Sequence, residues 1–144
     1  MRAAQRLPVK ARDQVFLGVW SAHDLVAHLV GWDFANMDSV EDLRAGKSPR
    51  VYVYWTPNWV AFNARLVKHY KRDKWLETMQ DARDSHAKLI AYLKQVPAAD
   101  FERDFGVRSP GGRKITIAYH LQAEIDDEVK HLKQIQAWLS RDRE

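Results

Sequence analysis

The sequence predicts an all-α protein, an up-and-down four-helix bundle, and three observations carry that expectation. Large apolar residues recur at helical spacing in four separate stretches. The strongest turn signal, Pro110-Gly111-Gly112, lies in a loop over 97–114 that sets the last stretch apart from the others. The one stretch that alternates weakly, RVYVYWT at 50–56, has no second strand to pair with and is expected to be an extended linker.

The opening helix is marked by Ser21 and Asp24, a capping-box-like start with Asp in place of the usual Glu or Gln. Leu25, His28, Leu29 and Trp32 then share one helical face, which directs His28 toward the core. Gly31 costs about 1 kcal/mol of helix propensity. The pattern nonetheless continues through Met37, Val40 and Leu43 until Gly46 and Pro49 end it. Thr56 and Pro57 suit the cap and first residue of the next helix, 57–71, with Trp59, Phe62, Leu66 and Tyr70 on its face. After a charged break at 71–74, Trp75, Met79, Ala82, His86, Leu89, Ile90 and Leu93 trace a third helix, with Pro97 beyond it as a stop. The last helix, 115–139, carries Leu121, Ile125, Val129, Leu132, Gln136 and Leu139, an apolar stripe with one polar member, as expected of a helix packed along a bundle.

Composition limits what such a bundle does. A chain of 144 residues falls in the single-domain range, so 1–144 is expected to be one domain. Its 46% hydrophobic and 29% charged residues exclude disorder and fibrous repeats. With no cysteine, disulfides, thiolate metal sites and a cysteine nucleophile are all excluded, and any metal must use histidine and carboxylate ligands. The basic N-terminus never develops the apolar run of a signal peptide, and no stretch approaches a membrane span, so a cytoplasmic location without membrane contact is expected. The net charge of +4 is scattered among acids, for example Arg72-Asp73-Lys74, which argues against a nucleic-acid partner.

In the last helix His120, Glu124, Asp127 and His131 follow at spacings of four, three and four, which at about 100° per residue confines them to a strip roughly 60° wide beside the apolar stripe. Asp127 and His131 at i, i+4 can reach one metal ion, and His28 on the core face of the earlier helix can supply a third ligand. Rotating the helix would substitute His120 for Asp127. Two imidazoles and a carboxylate suit Zn, Ni, Fe or Mn and leave positions open for water and substrate, the arrangement of a Lewis-acid site. Glu124, one turn before Asp127, is a candidate base or ligand-orienting residue. The plain alternative is that these are a hydrogen-bonded core histidine and a helix-surface ion pair. His23 and His69 read as solvent-facing, while His86 and His120 can face inward. Most of the tryptophans read as core or rim packing. Trp32, one turn after His28, and Trp138, two turns beyond His131, are the candidates to wall a substrate pocket with His120.

The block WSAHDLVAHLVGWD resembles the start of the second helix of DinB/YfiT-like proteins, in which a tryptophan and serine precede a metal-binding histidine followed by a tryptophan. His28 matches that histidine. VAFNARLVKHYKRDKWLETMQDARDSHAKLIAYLKQVP is similar to the middle helices of this superfamily, nearest the ClbS/DfsB-like branch. ITIAYHLQAEIDDEVKHLKQI is similar to its last helix, which usually carries a His-x-x-x-His pair. His131 matches the second histidine, and the first falls on Asp127, a departure that keeps a metal-binding side chain. The resemblance covers residues 17–140 and implies a DinB-like four-helix bundle, often dimeric, with a divalent metal between helices. The family normally has a full helix before the Trp-Ser block, so the first helix here is expected to be short or truncated, residues 9–17 offering a short one. Uncovered apolar surface on the other helices then leads to the expectation of a homodimer.

These readings lead to a divalent-metal-dependent enzyme acting on a small reactive electrophile, by hydrolysis or by transfer of a low-molecular-weight thiol. The alternative is a non-catalytic protein that binds or sequesters a small molecule in an aromatic-lined cavity.

Overall fold

The computed structural model describes residues 2–54 and 58–141. Helix α1 is a single turn, Arg2–Gln5, followed by a 3-10 turn at Val9–Ala11 and a small hairpin of β1, Val15–Leu17, and β2, Trp20–Ser21. The bundle consists of α2, Ala22–Arg44; α3, Trp59–Tyr70; α4, Trp75–Leu93; and α5, Ile117–Arg141. The all-α helical bundle is thus the observed fold, with a two-stranded hairpin as its only sheet among the described residues. No helix of the described residues is long and apolar enough to cross a membrane.

Local departures from the sequence reading have local causes. Residues 9–17 form a turn and a strand instead of a helix, because Pro8 starts the turn and Gly18, at φ +61°, reverses the chain so that Val15 and Leu17 pair with Ser21 and Trp20. Residues 50–54 are a 3-10 turn and not an extended linker: the Asp42 carboxylate accepts the backbone N–H of Arg50 and pairs with its guanidinium, which coils the chain at that point. The expected cap at Thr56 and Pro57 lies outside the described residues. Helix α5 starts at Ile117, two residues later than expected, since Ile115 bonds back to Val107 and Thr116 supplies its side chain to the Tyr119 N–H.

α2 is the central element, with α3, α4 and α5 all packed on it. Its start is fixed by a full capping box: the Ser21 side chain accepts from the Asp24 N–H, and the Asp24 carboxylate accepts from the Ser21 N–H at 2.8 Å. Instead of one apolar stripe, α2 buries residues around its whole circumference. Its first half enters a cluster with Trp75, Met79 and Ala82 of α4, and its last turns enter a second cluster with Val96, Val107 and Ile115. Between them Asp33, Asn36 and Ser39 are buried and polar. α5 differs from the expected buried stripe: Ile125, Val129 and Leu132 are exposed, and within the helix Ile117, His120 and Ile135 go inward.

Gly31 marks where α3 comes closest to α2. A Cβ there would sit 2.8–2.9 Å from the side chain of Leu66, its Cβ included. Gly31→Ala should therefore destabilise the chain by about 1–3 kcal/mol through overpacking, although alanine is the better helix former. Urea unfolding measures this, and an unchanged or raised midpoint would contradict so close an approach.

Candidate metal centre

The six histidines differ in what their ring nitrogens meet. Three are buried: His23, His28 and His120. His23, expected at the surface, is covered because Arg12 accepts its backbone N–H and folds the N-terminal segment over it; its ring bridges Asp13 at 3.0 Å and Thr78 of α4 at 2.8 Å. His120 is held by the Tyr52 hydroxyl at 2.9 Å and Asn36 Oδ1 at 3.1 Å. Both rings are thus satisfied core histidines. His28 is not. Its Nδ1 is the one buried side-chain nitrogen or oxygen without a hydrogen-bond partner among the described residues, and its ring packs against Trp20 at 4.9 Å, Trp32 at 6.1 Å and His131 at 5.6 Å. Of the others, His69 is exposed, and His86 is half-exposed and reaches back to the buried Asp33 at 3.3 Å.

α5 brings Asp127 and His131 to this histidine. One ligand atom from each of His28, Asp127 and His131 lies within 4.8 Å of the others. Asp127 Oδ2 is 3.1 Å from His131 Nε2, while His131 Nδ1 lies 2.8 Å from Gln134 Oε1. The Gln134 oxygen can only accept, so Nδ1 carries a proton and Nε2 is the nitrogen directed at the triad. Sequence reasoning missed Gln134. Its position three residues after His131, on the same side of the helix, is the signal that would have found it.

The triad borders a cavity of about 230 Å³ lined by His28, Trp32, Trp59, Asn63, Glu124 and Asp127. Of the residues expected around a pocket, Trp32 and Glu124 lie in this lining; Trp138 stacks on Phe16 at 4.8 Å, outside it, and His120 sits in its own hydrogen-bonded niche. Trp59 and Asn63 come from α3; the sequence placed Trp59 only on that helix's packing face and did not single out Asn63. Asn63 accepts the indole N–H of Trp32 at 3.1 Å, which orients that wall. His131 faces a neighbouring groove with Leu25, Leu29, Ile125, Val129 and Leu132.

Burial and charge set the protonation of the group. Burial, reinforced by the positive character of His131, pushes His28 down to about 4, so it is neutral at physiological pH and offers a lone pair. Burial opposes charging His131, but Asp127 and Gln134 outweigh it and hold that imidazole above its ordinary value. The His131 hydrogen bond holds Asp127 below the usual carboxylate range. Burial, with Asp127 and Glu128 acting in the same direction, pushes Glu124 up to about 8.

The donor set fits a divalent metal. A neutral imidazole with a buried, unpartnered nitrogen loses about 1–3 kcal/mol that a ligand would restore. A carboxylate and a second imidazole, oriented by an outer hydrogen bond, complete a set suited to borderline cations. Metal and proton compete for His131, so uptake strengthens as pH rises through its raised pKa.

Glu124 makes stability pH-dependent. It keeps its proton to about pH 8 in the folded chain, whereas the unfolded chain releases it near 4.5. Its contribution is complete below pH 4.5 and is lost as pH rises to about 8. In chelator-treated protein Glu124→Gln should therefore match wild type at the acidic end and exceed it by about 2–3 kcal/mol at the alkaline end, discounted for partial exposure. Parallel thermal melts across the whole range would show that Glu124 titrates normally.

The family model of the DinB superfamily matches residues 2–135. No curated protein and no solved structure matches the chain. A helical bundle with a His/Asp/His cluster between its central and last helices agrees with the family match, and the chain belongs to the DinB superfamily.

Proposed function

We propose that the chain is a single-domain, cytoplasmic, metal-dependent enzyme of the ClbS/DfsB-like kind. His28, Asp127 and His131 hold one divalent ion, Zn, Ni, Fe or Mn, and the cavity beside them takes a small reactive electrophile. The observation that carries this reading is the contrast among the buried histidines: His23 and His120 use both ring nitrogens, and His28, beside Asp127 and His131, leaves its buried Nδ1 without a partner. A core histidine kept only for packing would leave that unpaired nitrogen as pure cost.

When bound, the metal supplies Lewis-acid activation of the nucleophile or the leaving group. The remaining roles fall to the chain. Trp32 and Trp59 exclude water and position the substrate, and Gln134 orients His131. Opening a strained ring by water or a thiol forms one bond from carbon to oxygen or sulfur, breaks one ring bond, and moves the nucleophile's proton to the released atom. Glu124, in the same lining, is the group that takes and returns that proton. With no cysteine in the chain, a sulfur nucleophile comes from a low-molecular-weight thiol.

Elemental mass spectrometry on untagged protein tests the reading. Wild type should carry about one divalent ion per chain, His28→Ala and His131→Ala should lose it, and Gln134→Ala should bind it roughly 10–100-fold more weakly. Metal-loaded wild type should then open activated epoxides or cyclopropanes, with or without added thiol. A chain that stays empty after incubation with Zn, Ni and Mn rejects the metal; a loaded chain that binds such compounds without turnover is a sequestering protein instead.

The exposed Ile125, Val129 and Leu132 on α5 form an apolar face that supports a homodimer. Light scattering at micromolar concentration should give the mass of two chains; the mass of one rejects the dimer.

A further inference from the structure

The cavity beside the triad has a lining of unusual chemistry for a chain of net charge +4. It presents two indole rings and two carboxyl groups, and neither lysine nor arginine is among its lining residues. The indole wall is built before any ligand arrives. Trp32 donates its N–H to Asn63, lies 5.3 Å from Trp59, and meets Phe62 edge-on at 5.5 Å. Such a braced ring loses little freedom when something packs on it. Arg65 of α3 is engaged over the ring of Tyr54 at 4.9 Å.

Indole rings attract cations through the negative faces of their π systems, and they do so most strongly where water is excluded. An anionic ligand would meet two carboxyl groups and no basic side chain in this lining. A cation answers both features of the lining. His28, buried and unpartnered, opens on the same space, which marks it as a place where a ligand belongs.

We propose that this cavity recognises an ammonium group on the small-molecule substrate, seated against Trp32 and Trp59 with Glu124 as its counter-charge, so that the rest of the molecule is directed at the triad. The inference rests on the reading of the triad as the working site. It narrows the substrate from any small electrophile to one that carries an ammonium group, and it assigns Glu124 to that group in place of proton transfer.

Choline and its uncharged isostere 3,3-dimethylbutan-1-ol have nearly the same shape and differ in charge. Titrations followed by tryptophan fluorescence and by calorimetry, on the folded full chain stripped with chelator, compare them above pH 8, where Glu124 ionises. Choline should bind at least about tenfold more tightly than the alcohol. Trp59→Ala, a change at a partly exposed position, and the near-isosteric Glu124→Gln should each remove most of that preference. Equal affinities, absence of choline binding, or a preference untouched by both substitutions would overturn the proposal. Metal content measured on parallel samples separates the two readings. Metal uptake without choline preference removes only the ammonium site; choline preference in a chain that never takes up metal removes the metal centre and leaves a cation-binding cavity.

Discussion

The structure depends on a helix that is buried on every side yet is not apolar. α2 carries His23, His28, Asp33, Asn36, Ser39 and Asp42 into the interior along with its valines and leucines. Each of these groups loses water on folding and must find a partner or cost stability. The surrounding elements are arranged to provide those partners. Asp13 and Thr78 serve His23; Ser85 donates to Asp33 at 2.5 Å with His86 on its other oxygen; His120 serves Asn36; Ser39 bonds back to Ala35; and Arg50 meets Asp42. The N-terminal segment, the 3-10 turn at 50–54, α4 and α5 are each tied to α2 by at least one such bond. Packing supplies most of the energy, and the polar pairs fix the register of the elements.

His28 is the exception in this scheme, and it lies where α5 delivers Asp127 and His131. A helix that satisfies its other buried polar groups thus leaves one imidazole nitrogen unpartnered beside a carboxylate and a second imidazole. Two of the three proposed ligands sit on α5, whose apolar side is only partly covered. A metal there would tie a sparsely buried helix to the most buried one, so binding energy would also serve as folding energy. The cavity adds the indole wall of α3, brought close because Gly31 lets Leu66 approach the α2 backbone.

Much of this was legible in the sequence. Helical spacing located the four long helices to within a few residues, because burying one face of a helix enforces a period near 3.6. The Ser21–Asp24 box and the strip of Glu124, Asp127 and His131 are local patterns, and local patterns survive in a linear text. The failures have a common source. His23 looked solvent-exposed because nothing in its neighbourhood reveals that residues 11–13 fold over it. Val15–Leu17 became a strand because Gly18 turns the chain, and residues 50–54 coiled because Asp42, eight positions earlier, captured Arg50.

The sequence alone determined the helical class, the absence of any cysteine nucleophile or thiolate ligand and the candidate donors, since periodicity, composition and i, i+4 spacing are properties of the chain itself. Only the tertiary structure decided which histidines are satisfied and which one is bare, and which tryptophans wall the cavity. Those outcomes depend on contacts between elements distant in the chain, as with Trp32 and Asn63 or His120 and Asn36, and no local pattern encodes them.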